Sequence, residues 1–157
     1  MKTAAMIRNT LASAAIAGGA LWAGAAQAGD VKTFSAVGVC ESSNAQPGWG
    51  ALHATQHTHI DCTVPRDLPQ KTKVRRLAIG LHFDAGVPSA AYHSCSVFSA
   101  PTDGFFGTHY LTQSVPTGTT GSYTVEFKNL RVEKHGRLAF SCVVPQWGKV
   151  AGFSVDE

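Results

Sequence analysis

Three of the chain's seven histidines, His53, His57 and His59, stand close together, and imidazoles at that spacing suit metal binding. On an extended strand His57 and His59 point the same way about 7 Å apart, a separation at which both can reach one zinc or copper ion. Asp61 continues that face about 13 Å from His57, too far to share the ion. A complete site therefore needs a third ligand from another strand, with His82, His93 and His109 as the donors on offer. The alternation of His57, His59 and Asp61 is equally what the solvent face of a half-buried strand carries. A small metal-binding protein using His57 and His59, with Zn or Cu, is thus the alternative function; the main expectation calls for no cofactor.

Catalytic groups are less well marked. None of G-x-S-x-G, S-x-x-K or H-E-x-x-H occurs, so no serine or zinc hydrolase is signalled. All four cysteines are expected in disulfides, which leaves no thiol nucleophile. Glu126, between Val125 and Phe127, comes nearest to a carboxylate in apolar surroundings, but in an alternating strand that position faces solvent. No catalytic residue is assigned, and a non-enzymatic protein is expected.

Aromatic residues in turns offer a different chemistry. Trp49, Phe105, Phe106 and Trp147 fall in or beside loops, as does Tyr110. Rigid exposed rings there stack on sugar faces or anchor protein contacts, and rings at loops also cap the ends of a core. A basic run, Arg66, Lys71, Lys73, Arg75 and Arg76, is opposed only by Asp67 and suits an anionic envelope polymer or lipid headgroup. The main expectation is a binding or interaction module whose partner is a glycan, an envelope polymer or a protein.

Residues 1–28 read as a cleaved signal peptide: Lys2 and Arg8, then the uncharged apolar run from Leu11 to Ala26, then Ala26-Gln27-Ala28 as a small-x-small cleavage site. The apolar run is short for a bilayer span, so no transmembrane segment is expected after cleavage, and the destination is the periplasm or the medium. Removing Lys2 and Arg8 lowers 13 Lys and Arg to 11, against 10 Asp and Glu, so a formal charge of +3 falls to +1. That balance gives no basis for a nucleic-acid partner.

Cys40, Cys62, Cys95 and Cys142 all follow the cleavage point, and an even count in an exported protein implies two disulfides. Three connectivities are open. Pairing between sequence-neighbouring strands favours Cys40–Cys62 and Cys95–Cys142.

These side chains need strands to position them. Leu138, Phe140, Cys142 and Val144 take every second place between Gly136 and Pro145, the mark of a strand with one buried face. Leu77, Ile79, Leu81 and Phe83 do the same between Val74 and Asp84. Further strands are expected over 31–40, over 51–64 with Thr58, Ile60 and Cys62 inward, around Cys95, over 108–115, over 123–132 with a bend at Lys128-Asn129, and over 151–155. Glu41 to Gly50 reads as a loop, and Trp147-Gly148 as a turn. Seven or eight short strands without a helical period predict an all-β antiparallel sandwich of immunoglobulin-like or jelly-roll type, as one domain over 29–157.

The layout of Cys40, His59 to Pro65, Val74 to Asp84, Ser94-Cys95, Cys142-Val143-Val144-Pro145 and Gly152 to Asp156 resembles a loose group of small exported bacterial disulfide-containing β-sandwich proteins without assigned function. The resemblance implies the sandwich and its disulfides and carries over no catalytic residue. Here the cysteine of the early strand is followed by Thr63-Val64-Pro65, a departure from that group's strand ending in Cys and Pro.

Overall fold

Alternation fixes the two central strands of the computed structural model, which describes residues 31–67, 69–85, 93–101, 108–115 and 120–157. The expected signal peptide, Phe105 and Phe106 lie outside these residues. Strand β10 (Arg137–Val144) buries Leu138, Phe140, Cys142 and Val144. Strand β6 (Lys73–Phe83) buries Leu77, Ile79, Leu81 and Phe83. Each becomes an inner strand of its own antiparallel sheet. In one sheet β2 (Cys40–Glu41), β5 (Thr58–Val64), β10, β7 (His93–Ala100) and β8 (Thr108–Val115) lie side by side in that order. In the other the order is β3 (Ala45–Gly48), β4 (Ala51–Ala54), β11 (Gly148–Asp156), β6 and β9 (Gly121–Arg131), with β1 (Val31–Ser35) also paired to β11.

The architecture is the expected antiparallel β-sandwich, but with eleven strands among the described residues rather than seven or eight. The difference arises where the chain changes sheets. The expected strand over 31–40 breaks at Ser35, whose hydroxyl accepts from the Val37 N–H and caps the single helical turn α1 (Ala36–Val39); β1 and β2 thus belong to different sheets. The expected strand over 51–64 likewise splits around residues 55–57 into β4 and β5, one in each sheet. The expected loop over 41–50 contains β3. Pro47 is tolerated there because β3 is an edge strand.

Between the sheets, the Phe140 ring meets the Phe153 ring edge-on, centroids 5.0 Å apart, and Phe34 stacks on the far side of that contact at 5.3 Å from Phe153. Ile60, Leu77, Ile79, Phe83, Phe127 and Val97 fill the remaining interior with little or no exposure. The bend expected at Lys128-Asn129 is present: Asn129 has φ 53°. There two adjacent residues on each paired strand, Arg75-Arg76 and Lys128-Asn129, are exposed, after which Val74 and Leu130 turn inward.

The disulfides join Cys40 to Cys62 and Cys95 to Cys142, each between residues directly opposite on neighbouring strands of the five-stranded sheet. Two such bonds and no free cysteine mark an oxidising, extracytoplasmic environment. Among the described residues no helix is long and apolar enough to cross a membrane. Cross-links of this kind act mainly on the unfolded chain. Replacing Cys95 and Cys142 together by Ala is expected to lower stability by about 4 kcal/mol, and Cys40 with Cys62 by about 3 kcal/mol, read from urea unfolding midpoints.

Candidate binding face

Two tryptophans stand where a backbone favours Gly or Asn. Gly48 and Ala51 pair across the β3–β4 hairpin, leaving Trp49 and Gly50 as its turn, with φ 52° and 75°. Two successive left-handed residues are the pattern of a type I′ turn, whose first central position normally holds Asn, Asp or Gly. At the entry to β11 the Gly148 N–H donates to the Pro145 carbonyl at 3.0 Å, and Trp147, third in that turn, has φ 69°. A Cβ makes this conformation cost about 1–2 kcal/mol. Trp49 recovers none of that by packing: it is 100% exposed, and Trp147 is 57% exposed.

Both turns belong to the six-stranded sheet, and its outer face connects them. Residues opposite one another in antiparallel strands share a face, so the register defines rows. One row crosses the sheet as Gln46, His53, Lys149, His82 and Ser122. The next is Ser35, Gly152, Gly80 and Thr124, followed by Thr33, Ser154, Ala78 and Glu126. The second and third rows floor a trough of about 550 Å³, lined by Thr33, Ser35, Ala78, Gly80, Thr124 and Ser154 among others. Gly152 is required in this floor, because a Cβ there would collide with the Phe34 carbonyl oxygen. The Trp49-Gly50 turn abuts the trough, for the Ser35 hydroxyl donates to the Gly50 carbonyl at 3.0 Å.

At the other end of the face a pocket of about 230 Å³ is lined by Gln46, His53, Ala54, Asp84, Trp147 and Lys149. The Trp147 N–H donates to the Ala54 carbonyl at 3.0 Å, anchoring the turn over β4. Lys149 Nζ lies 2.9 and 2.7 Å from the two Asp84 carboxylate oxygens, and His82 Nε2 lies 3.2 Å from Oδ1. The Lys149 ammonium, with His82 behind it, holds the Asp84 carboxyl below its ordinary value of 3.8 against a partial opposing desolvation. His82 Nδ1 is 2.9 Å from Ser122 Oγ, so serine, histidine and aspartate stand in series. Neither Ser122 nor His82 lines this pocket or the trough, and the series serves to fix Asp84.

The other expected sites fare differently. His59 is exposed on the outer face of the five-stranded sheet, with Nδ1 3.5 Å from Ser141 Oγ, and His57 is exposed just before β5 begins. His53 and His82 belong to the other sheet, and His93 is buried against Phe83 with ring centroids 4.5 Å apart. Among the described residues no group of three His, Cys, Asp or Glu is placed to hold a metal ion. Glu126 faces out as an alternating strand requires; Arg76, with Lys128, holds its carboxyl below the ordinary range.

Of the basic run, Lys71 and Lys73 are exposed, while the three arginines carry internal partners. Arg66 is buried against Glu157 at 2.8 Å, Arg75 pairs with Asp156 at 3.0 Å and Arg76 with Glu126. Their partners lie 50 to 91 residues away in sequence, which hid the neutralisation from a local reading. The Asp84–Lys149 pair, 65 residues apart, was missed for the same reason, although His82 and Asp84 already alternate on the outward face of β6.

No protein-family model matches the chain, and no curated protein matches it. Among solved structures it is similar to the Podospora anserina GH26-CBM35 β-(1,4)-mannanase, with a TM-score of 0.45 and 13% identity over 80% of this chain and 27% of that one. It is also similar to TmCBM61 in complex with β-1,4-galactotriose, with a TM-score of 0.40 and 15% identity over 81% and 85% of the two chains. A CBM4 structure gives 0.41 and 13% over 80% and 82%. The chain thus spans about a quarter of the mannanase's length. The similarity is one of sheet architecture and assigns no residue a role.

Because the folded-state pKa of Asp84 is depressed, its ion pair stabilises the native protein above the ordinary value of 3.8 and fades as pH falls through the lower folded value. A carboxyl-detected NMR titration is expected to place Asp84 below 3.8, and Lys149→Met to move it back up toward that value.

Proposed function

We propose that this chain is a non-enzymatic glycan-binding module that holds its ligand on the outer face of the six-stranded sheet, between Trp49 and Trp147. The observation that carries this reading is Trp49: a large apolar ring wholly exposed on a turn whose backbone disfavours it. A residue that costs stability and packs against nothing is explained by what it contacts outside the fold. Trp147 shares the left-handed backbone at the second turn and is 57% exposed.

The face between them favours a glycan over a protein partner. The trough combines apolar surface from Ala78, Ala151, Phe34 and Phe153 with the hydroxyls of Thr33, Ser35, Thr124 and Ser154, a mixture that meets both the apolar face and the hydroxyls of a sugar ring. A polar chain ligand can lie in such a trough, donating to and accepting from hydroxyls, with the Trp49 indole beside the trough and the Trp147 indole at the neighbouring pocket offering faces for sugar rings. For an anionic polymer, the 66–76 segment offers exposed Lys71 and Lys73, its three arginines being engaged in internal ion pairs. The metal-binding alternative at His57 and His59 draws on two exposed residues, one of them outside the strand that was to align it. An exported setting agrees with the two disulfides and with the leader read in residues 1–28.

Trp49→Gly and Trp147→Gly separate binding from folding, since Gly relieves the left-handed strain. Each variant is expected to melt at or above the parent temperature, with a gain of up to about 1 kcal/mol at Trp49. Each is also expected to lose about 2 kcal/mol, or roughly thirtyfold, in affinity for glycans retained by the parent on an array. Lower melting temperatures with unchanged retention would make both rings structural and end this reading.

A further inference from the structure

The Trp147 pocket has a chemistry distinct from the trough beside it. Its two charged groups cancel: Lys149 Nζ bridges both oxygens of Asp84, and each is held by the other before any ligand arrives. Beside that pair stand the amide of Gln46 and the imidazole of His53, whose Nε2 lies 2.7 Å from the Gly48 carbonyl oxygen. One wall is the exposed Trp147 ring. The space, about 230 Å³, suits one six-membered sugar ring and not a longer piece of chain.

Resting on the glycan-binding reading, the geometry points to this pocket as a subsite for a single neutral pyranose unit at the end of a glycan chain, recognised through two adjacent hydroxyls. One hydroxyl donates to Asp84 and its neighbour accepts from Lys149, with the ring face against Trp147. A vicinal diol can do both at once, because each hydroxyl is donor and acceptor. A carboxylate or phosphate group would meet Asp84, held ionised by Lys149; an ammonium group would meet Lys149. Neutrality of the ligand therefore follows from the compensated pair. The ion pair also keeps both side chains in place beforehand, so little rotamer freedom is lost on binding.

The position of the pocket makes it terminal. On one side the Pro145–Gly148 turn closes it, tied to β4 by the Trp147 N–H to Ala54 carbonyl bond. On the other side β11 runs from Lys149 to Ala151, a strand step of about 7 Å, and Ala151 already lines the trough. A chain whose last unit occupies the pocket continues into the trough past Ala151 and Gly152 toward Ser35 and the Trp49 turn.

Calorimetric titration of the full chain decides this. The probes are neutral tri- to hexasaccharides of the gluco, manno, galacto and xylo series, their free monosaccharides, and the matching uronic acid oligomers. Asp84→Asn and Lys149→Met are each expected to weaken the best neutral oligosaccharide about tenfold to a hundredfold. The uronic oligomers should bind more weakly than their neutral counterparts. Trp49→Gly should reduce the gain from added chain length while sparing the monosaccharide. Thermal melts accompany each variant, and Lys149→Arg, which keeps the charge, should recover part of the affinity. Parent-like binding by both Asp84→Asn and Lys149→Met, or preference for the uronic oligomers, would overturn the subsite while leaving a glycan face in place. Failure of the parent chain to bind any probe would instead overturn the glycan reading itself.

Discussion

The fold turns on one contact between its two sheets, the T-shaped pair of Phe140 and Phe153, with Phe34 stacked on Phe153. Phe140 lies on the central strand of the five-stranded sheet, and Phe153 on the strand of the six-stranded sheet that pairs with β4, β6 and β1. Alternation is strict on β10, where successive residues point to opposite faces, and on β11 it is broken once, at the bulge between Val150 and Gly152 that leaves Ala151 and Gly152 both outward before Phe153 turns in. Everything outward is then freed from packing duty. On the six-stranded sheet that freedom yields a face of small and hydroxyl-bearing residues, with paired charges toward its two ends.

The proposed binding face sits where local preference and the fold disagree. A hairpin built for stability alone would carry Asn-Gly at 49–50 and Gly or Asn at 147. This chain has tryptophan at both positions and accepts backbone strain to present the rings. The strain is affordable because the surrounding hairpins are pinned elsewhere: Ser35 holds the Gly50 carbonyl, and Ala54 receives the Trp147 N–H. Asp84 and Lys149 show the complementary device, a charged pair held ready at the surface.

Much of the sandwich was legible because two strands announce themselves by alternation. The buried faces of β6 and β10, the inward Thr58, Ile60 and Cys62, and the break at Asn129 all follow from side-chain period alone. Sheet membership did not. Nothing local in Val31 to Cys40 or Ala51 to Val64 says that the chain crosses to the other sheet midway, because the crossing is decided by which partner strand is free. Trp49 and Trp147 could be placed in turns, yet their left-handed backbone could not, since Trp-Gly carries no signal for it. The neutralised arginines and the Asp84–Lys149 pair were invisible because each joins residues brought together only by strand order.

The central claim is that ligand binds the outer face of the six-stranded sheet and no other. It is tested most directly by ¹⁵N NMR of the folded chain titrated with the neutral oligosaccharides. The account predicts shifts in the indole N–H signals of Trp49 and Trp147 and in the backbone amides of Ser35, Gly80, Lys149 and Gly152. Amides of the opposite face, at His59, Asp61 and Ser141, should stay still. Shifts confined to that opposite face, with both indole signals unmoved, would contradict it.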